Sequence, residues 1–399
     1  MTATLASTPT GAWTIGAPRL LAGLDRYATV DHAAHVAVHG PLPYADRPRL
    51  TALLEDVALT GRGGAAFPFA AKLRAMPQGR GAVIVNGSES EPVSFKDRTL
   101  LRRAPHLVLD GALAVAAAVG ARQVTVAVHD RPAALAVHRA IGERRDCALV
   151  RVEHVRETFV GGEARALWRG LRGGPAVPPG RRVHLTQHGT LLSNVETFAH
   201  VAVALRLGPR RFRESGTHAE PGTTLLTVGG AVERPGVVEI PLGTPLGIVL
   251  GAAGAAPPQA VVVGGYHGTW QPLRPDLQLC HANGLGAGAI SVLDSSTCAL
   301  GELARVAAWL AAQSTGRCGP CRFGLPALAR DVAGIAAGND VAAAFHHAQL
   351  VHGRGACHHP DGAVRFVMSG LHVLRDETVR HGTAGGCGRP VHGQLVVPA

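Results

Sequence analysis

Between residues 82 and 155 three short β-type runs alternate with two helical ones, and that alternation is the strongest limit on what this chain can fold into. Ala82-Val83-Ile84-Val85 is a brief apolar run, Gln123–His129 is β-branched and alternating, and Leu149–Val155 reads as a third strand. Leu107–Val119 is Ala-rich and Pro132–Arg144 opens on a proline, so both read as helices. Strands and helices in turn imply an α/β layered domain. Such domains place ligands beyond their strand ends, so the residues after each run matter. The first run passes directly into Asn86-Gly87-Ser88-Glu89-Ser90-Glu91-Pro92, an amide and two carboxylates, with Phe95-Lys96-Asp97-Arg98 close behind. A solvated acidic turn is the plainer reading of the same segment.

A second motif lies upstream. Gly61-Arg62-Gly63-Gly64-Ala65-Ala66-Phe67-Pro68, followed by Lys72, separates the helical runs Leu50–Ala58 and Phe69–Met76. Glycines let backbone N–H groups face inward, and the next helix adds its positive end, so the loop can cradle an anion. It equally reads as a tight turn, and it lacks the spacing of the dinucleotide fingerprint. Lysine usage links the two motifs. The chain carries 39 Lys+Arg, yet its only lysines are Lys72 and Lys96. A compact ammonium suits a point contact to phosphate. Two further segments follow strands and open helices: Phe159-Val160-Gly161-Gly162-Glu163-Ala164, and Ser193-Asn194-Val195-Glu196-Thr197, whose Ser193 or Asn194 also reads as a helix N-cap.

The rest of the chain divides by texture. Residues 1–45 are irregular. Residues 46–218 hold the α/β pattern. Over 219–300, Thr223–Val228, Gly236–Ile240 and Val261–Val263 are short β runs between glycines and prolines, predicting a small β-rich domain. Residues 301–380 read as helices over Glu302–Ala312, Pro326–Ala337, Val341–Leu350 and Val364–Val379, and 381–399 as a loose Gly-rich tail. The net charge of +11 is inflated by general arginine usage, or else fits an acidic partner such as an electron-carrier protein. No basic run interleaved with aromatics points to nucleic acid. No uncharged run of about 20 apolar residues predicts a membrane span. No basic stretch leads into an apolar core at the N-terminus, so the expectation is a cytoplasmic protein, with attachment to the periphery of a membrane complex left open. Cys318 and Cys321 stand three apart, which favours metal or redox use over a disulfide. Cys147, Cys280 and Cys298 lie in apolar surroundings and read as small core residues.

In this order the motifs resemble the flavoprotein subunit of respiratory complex I, a family shared with NAD-reducing hydrogenases and formate dehydrogenases. That family reads G-R-G-G-A-G-F-P-T-G-x-K, N-x-D-E-x-E-P-G-x-F-K-D-R, Y-x-x-G-E-E and N-N-V-E-T. A β-grasp (soluble-ligand-binding) domain follows, matched by Gly229-Gly230-Ala231-Val232-Glu233-Arg234-Pro235-Gly236-Val237, and then a helical iron–sulfur domain. The resemblance implies an FMN-binding α/β domain with the cofactor held by Gly61, Arg62, Gly63, Gly64, Lys72, Asn86, Ser88, Glu89, Glu91, Phe159, Gly162, Glu163, Ser193 and Asn194. It implies NADH or NADPH bound near Phe67, Glu91 and Ala164, hydride transfer to FMN, and single electrons passed to an iron–sulfur cluster. The onward carrier would be a partner subunit or a ferredoxin-like protein.

The departures fall on the nucleotide side. Leu73 and Ala75 stand where the family carries Trp and Phe, and Ala164 followed by Arg165 replaces the second Glu of G-E-E. That carboxylate disfavours a 2′-phosphate in the family. Ser88, Phe159 and Ser193 replace Asp, Tyr and Asn. An alternative is therefore a non-catalytic relay or scaffold subunit that has lost nucleotide binding. In the cluster motif S-C-G-x-C-x-P-C-R, Thr315 replaces the first cysteine, leaving Cys318, Cys321 and the distant Cys357. A [4Fe–4S] cluster completed by Cys387, by His358 or His359, or by water is one outcome. A [3Fe–4S] cluster, zinc, or free structural thiols are the others.

Overall fold

The computed structural model describes residues 11–77, 79, 81–180 and 184–398. The first ten residues of the segment expected to be irregular lie outside this range. The rest of that segment is ordered: β1 (Gly11–Thr14) and α1 (His32–His39) precede α2 (Arg47–Asp56) and α3 (Phe69–Arg74). Then come β2 (Gly81–Gly87), α4 (Lys96–Arg103), α5 (Pro105–Val119), β3 (Ala121–Val128), α6 (Arg131–Gly142), β4 (Val150–His154), α7 (Ala164–Leu171), β5 (Thr190–Asn194) and α8 (Val195–Phe212). Strands β2 to β5 form one parallel sheet in the order β4-β3-β2-β5. Their near-continuous apolar stretches, such as Val83-Ile84-Val85, match a sheet covered on both faces.

Helices α5 and α8 pack so closely on this sheet that α5 needs glycine at position 111. A β-carbon there would lie 1.8 Å from the Phe198 carbonyl oxygen. Asp110, beside it, accepts from His35 Nε2 at 2.8 Å and also bonds Arg144 and Arg206, so charge pairing ties α1, α5, α8 and the turn after α6 together. Burial opposes its ionisation, but these partners hold its carboxyl well below the usual range.

The second unit comprises β6 (Thr223–Gly230), β7 (Gly236–Pro241), β8 (Thr244–Pro245), α9 (Leu246–Ala252), β9 (Pro258–Val263), β10 (Thr269–Gln271), β11 (Gln278–Leu279) and β12 (Ala289–Asp294). Six strands make a mixed sheet, β1-β7-β6-β12-β9-β10, and β8 pairs with β11. Strand periodicity divides its side chains. Val261 and Val263 join the cluster around α9, whereas Ala260 and Val262 face the C-terminal helices. Those helices are α10 (Ala299–Ala312), α11 (Leu325–Ala336), α12 (Ala342–Val351), α13 (His359–Val373) and α14 (Arg375–Ala384). The single helix expected over 364–379 is two, meeting at Leu374.

The last residues have no regular secondary structure, yet they are docked rather than loose. Leu395 is fully buried, and the Glu302 carboxylate accepts from Gly393 N and Gln394 N. Sequence composition signalled glycine there, but not the buried acceptor waiting for it. None of the helices, among the described residues, is long and apolar enough to cross a membrane.

Gly111→Ala tests the α5–α8 contact. Because the obstructing atom is backbone, relief requires moving a helix, and the expected loss is about 3 kcal/mol or more. Urea unfolding of the variant measures it; a loss below about 1 kcal/mol would mean that α5 and α8 can separate freely.

Candidate functional site

In the sheet order β4-β3-β2-β5 the chain moves outward from β2 through β3 to β4, then returns to lay β5 on the other side of β2. The gap between β2 and β5 at their carboxyl ends is the switch point where α/β sheets leave a crevice. Asn86 and Asn194 are register partners there. The resulting open cleft has a cavity volume of about 120 Å³ and is lined by Arg62, Gly63, Asn86, Ser88, Glu89, Glu91, Gly162 and Asn194. All four motifs meet in it.

Local hydrogen bonds fix these residues. Asn86 Nδ2 donates to Gly162 O at 3.0 Å, and its Oδ1 accepts from Ser88 Oγ at 2.6 Å. Asn194 caps α8, its Oδ1 accepting from Glu196 N at 2.9 Å, while its Nδ2 bonds Asp97. The two carboxylates differ sharply. Glu89 accepts from Ser94 Oγ, Asp97 N, Arg98 N and Arg98 Nε at 2.7–3.1 Å. Burial opposes its charge, but Arg98, Lys96 and these donors hold its carboxyl below the usual range. Among the described residues Glu91 accepts only from backbone: its Oε2 takes Tyr266 N at 2.9 Å, and its Oε1 is buried without a partner. Burial pushes Glu91 up to about 8 despite the bonds from Tyr266 and Val93.

Lys96, expected to contact phosphate, is already committed. Its ammonium lies 2.8 Å from Asp97 Oδ1 and 3.0 Å from Glu196 Oε2. Burial opposes its charge, yet those carboxylates raise its pKa. Arg62 is likewise spent on structure, its guanidinium reaching His281 at 3.1 Å and Thr223 O at 3.4 Å. The glycine loop itself stays accessible. Gly61 N donates to Phe67 O at 2.9 Å and closes the loop, and Gly64 sits at φ +93°, open to solvent beside the Gly286 carbonyl. Ala66 adopts φ +47°, a left-handed conformation that costs a non-glycine residue about 1–2 kcal/mol, at a position where the resembling motif has glycine.

Phe67, Lys72, Glu163 and Ala164 line a second cleft of about 300 Å³, together with Ala75 and Arg165. Lys72 Nζ donates to Leu192 O at 3.2 Å, and burial lowers its pKa to about 8. Glu163 caps α7 and also accepts from Arg165 Nε at 2.7 Å, so Arg165 has an anion of its own. Leu73 is fully buried in the core. Four expected residues line neither cleft: Gly61 and Gly64 of the glycine loop, Ser193 and Phe159. Ser193 is buried in β5. Phe159 packs edge-on against His267, Trp309 and His359, with ring centroids 4.7, 4.9 and 5.6 Å away. Four lining residues escaped the sequence reading as binding residues: Ser90, Ser94, Asp97 and Ala287. Ala287 comes from the second unit, where the run Gly284-Leu285-Gly286-Ala287-Gly288 was the sole available signal.

The cysteines separate into two groups. Cys321 interacts with both Cys318 and Cys357, and burial and these neighbours push its thiol up to about 12, against a bond from the Thr315 N–H. Cys318 is held low, against its burial, by the N–H groups of Ala356 and Cys321 and by the Cys321 side chain. Three thiols with N–H donors aimed at sulfur fit an iron–sulfur cluster, with its fourth position completed from elsewhere. Two suggested donors are excluded. His359 Nδ1 accepts from His267 Nε2 and its Nε2 donates to Leu310 O, both at 3.0 Å. Cys387 lies instead with Cys298, Glu377 and His381. His358 is exposed.

Comparison with known proteins finds matches over both ends of the chain. Residues 54–203 match the Nuo51 FMN-binding domain, and residues 301–381 match the NADH-ubiquinone oxidoreductase-F iron-sulfur binding region. The F subunit of NADH-quinone oxidoreductase from Mycobacterium tuberculosis H37Rv is 30% identical over 384 residues, covering 84% of this chain and 85% of the relative. The corresponding Streptomyces coelicolor protein is 30% identical over 377 residues, covering 85% and 84%. The alpha subunit of the NAD-reducing hydrogenase HoxS of Cupriavidus necator is 30% identical over 346 residues, covering 76% of this chain but 58% of its own. Among solved structures, an NAD+-reducing [NiFe]-hydrogenase in the air-oxidized state superposes with a TM-score of 0.79 at 28% identity, covering 96% of this chain and 68% of that one.

The buried Glu91 carboxyl should be visible in stability. Its folded pKa, about 8, lies above its ordinary value of 4.5. Its contribution is therefore fully present below about 4.5 and is lost as pH rises through about 8. Ligand-free protein should lose stability between about pH 5 and 8.5, and Glu91→Gln should lose less. Parallel urea-midpoint profiles for the two proteins would refute the shift.

Proposed function

Because the chain belongs to the family of the NADH-quinone oxidoreductase F subunits, we propose that its residues 46–218 bind FMN in the switch-point cleft and NADH or NADPH beside it. Bound FMN would take the reducing equivalents of the nicotinamide, and an iron–sulfur centre to receive them singly would be held by Cys318, Cys321 and Cys357 in residues 301–380. Residues 219–300 are the β-grasp domain that roofs the cleft. The observation that carries the reading is the convergence of four motifs at one switch point, around a buried carboxyl oxygen of Glu91 that meets no partner among the described residues. A buried acceptor of that kind costs free energy unless a ligand donor meets it.

The chemistry supplied by bound FMN is acceptance of a hydride and its release as single electrons. The protein's part is binding and orientation. Gly63 and Gly64 let backbone approach a phosphate, and Asn86 and Asn194 hold the strand ends at fixed separation. Glu91, protonated through neutral pH, can donate as well as accept. Lys72, with Phe67 in the adjoining cleft, supplies the positive charge that Lys96 does not. The onward partner is an acidic electron carrier or partner subunit. It docks where exposed Phe323 stands among Arg322, Arg330 and Arg354, on the turn that carries Cys321.

Anaerobic titration with NADH tests the reading. Protein purified yellow should bleach at its flavin bands with about one two-electron equivalent per chain. A flavin that stays oxidised would leave the relay role instead. Gly63→Val isolates the cradle, because its β-carbon meets nothing nearer than Asn194 Cβ at 3.4 Å. FMN affinity should fall at least about tenfold with the melting temperature retained. Unchanged affinity would move the phosphate elsewhere. On the nucleotide side, Ala164→Glu should raise the NADH over NADPH preference about tenfold, read as the ratio of kcat/KM values. No change in that ratio would remove position 164 from ribose recognition.

A further inference from the structure

Outside the flavin cleft and the three cluster thiols, one group of side chains meets as metal ligands do. Cys298 Sγ, Glu377, His381 and Cys387 Sγ offer four donor atoms that all lie within 4.8 Å of one another. Cys298 Sγ is 3.6 Å from His381 Nε2 and 3.6 Å from Glu377 Oε1, and those two atoms are 3.9 Å apart. Tetrahedral donors with ligand bonds of about 2.0–2.3 Å stand about 3.3–3.8 Å apart, so a single ion fits among them with little movement. Cys298, Glu377 and His381 are each more than nine-tenths buried.

We propose that Cys298, His381, Cys387 and Glu377 form a structural zinc site that clasps the C-terminal tail to the helical domain.

The surroundings are built for it. His381 Nδ1 donates to Ala336 O at 2.7 Å, which fixes the tautomer and leaves the Nε2 lone pair facing the thiols. Gly301 N donates to Cys298 Sγ at 3.3 Å, as N–H groups do to metal-bound thiolates. Glu377 turns one oxygen toward the thiols and the other to the Arg389 guanidinium. Two thiolates and one carboxylate against a dication and Arg389 leave no net charge in a buried place, which a bare cluster of these groups does not achieve. Two sulfurs, one imidazole and one carboxylate in a tetrahedron suit zinc; an iron–sulfur cluster normally takes four thiolates at wider separation.

The ligands come from three places: the N-cap of α10, helix α14 and the tail. The ion would therefore close a long loop. The tail it fixes runs on through Pro390, whose carbonyl accepts from Cys298 N at 2.7 Å, to Val396, whose carbonyl accepts from Tyr266 Oη at 2.6 Å. Metal binding at these ligands releases the thiol protons and changes no oxidation state.

Metal analysis of the full-length protein, purified anaerobically with cofactors in place, decides the matter. About one zinc per chain is expected beside the iron. His381→Ala and Cys387→Ser should each lower zinc to under about a tenth of that value while iron and flavin remain, and Cys318→Ser should lower iron while zinc remains. Zinc present in both tail-site variants, or lost in Cys318→Ser instead, would overturn the proposal by moving the ion to the cluster thiols. A Cys298–Cys387 disulfide in zinc-free native protein, seen as a cross-linked peptide by mass spectrometry, would overturn it too. Should the variants fail to fold, wild-type protein stripped of zinc and titrated with Co(II) gives the answer. Visible bands of tetrahedral, thiolate-bound cobalt are expected, and their absence refutes the site.

Discussion

One buried ammonium holds the switch-point cleft together. Lys96 sits between Asp97 on its own helix and Glu196 on α8, and reaches Asn194 Oδ1 at 3.4 Å. Glu196 is fully buried, and its other oxygen accepts from Thr224 Oγ1 and Leu225 N of β6, both at 3.0 Å. A single positive charge thus balances the floor of the cleft and fastens the first domain to the sheet of the second. Removing one member of such a buried set leaves an uncompensated charge, typically a loss of about 3–5 kcal/mol. Lysine rather than arginine stands here because three converging acceptors surround a point, and a flat guanidinium would have to splay them. The rarity of lysine in this chain marked the position correctly but suggested the wrong partner: the anion is the protein's own.

The roof of the cleft depends on backbone approaching backbone. Gly286 has φ +55°, and a β-carbon there would meet Gly264 O at 2.6 Å; Gly265 has φ +76°, and its β-carbon would strike the Glu91 carboxylate at 2.5 Å. These loops therefore close over the cleft only with glycine at both positions. Closure brings Tyr266 N onto Glu91, and the Tyr266 hydroxyl, at the other end of the residue, is held by the tail at Val396. Burial raises the pKa of Glu91, and the bond that partly offsets it comes from a residue itself held by the C-terminal tail. This contact links the C-terminal tail to the switch-point cleft without any side chain of the tail entering it.

Local pattern carried most of the fold into view. The runs at 82–85, 123–129 and 149–155 became β2, β3 and β4 because apolar β-branched stretches with helices between them have few other ways to bury both faces. Asn86, Gly162 and Asn194 were legible because each follows a strand and precedes a helix, and a parallel sheet gathers such positions at one edge. What escaped was long-range. Ala287 enters from the second unit, some two hundred residues after the strand it faces, and Gln394 reaches Asp294 only once the tail is docked. Phe159 resembled a flavin contact by its place in a motif, but three aromatic neighbours from the helical domain and the β9–β10 turn outweigh that place and draw it into their cluster.

The cysteines make the same point about chemistry. Counted along the chain, Cys387 looks like a spare ligand for an incomplete cluster and Cys298 like a small core residue. In space they face each other, with a histidine and a carboxylate, while Cys318, Cys321 and Cys357 form a separate group beside the exposed arginines. The two groups differ in what surrounds the sulfur. At the first, both histidine nitrogens and both carboxylate oxygens are directed, so one ion can be held in one geometry. At the second, the donors facing sulfur are backbone N–H groups, which stabilise thiolate charge without coordinating, and the turn bearing Cys321 lies at the surface. A redox centre needs that access and that tuning; a structural ion needs burial and a closed shell. Thr315, which stands where the resembling motif has cysteine, still donates its N–H to Cys321, so even the substituted position serves the Cys318–Cys321–Cys357 group rather than the other one.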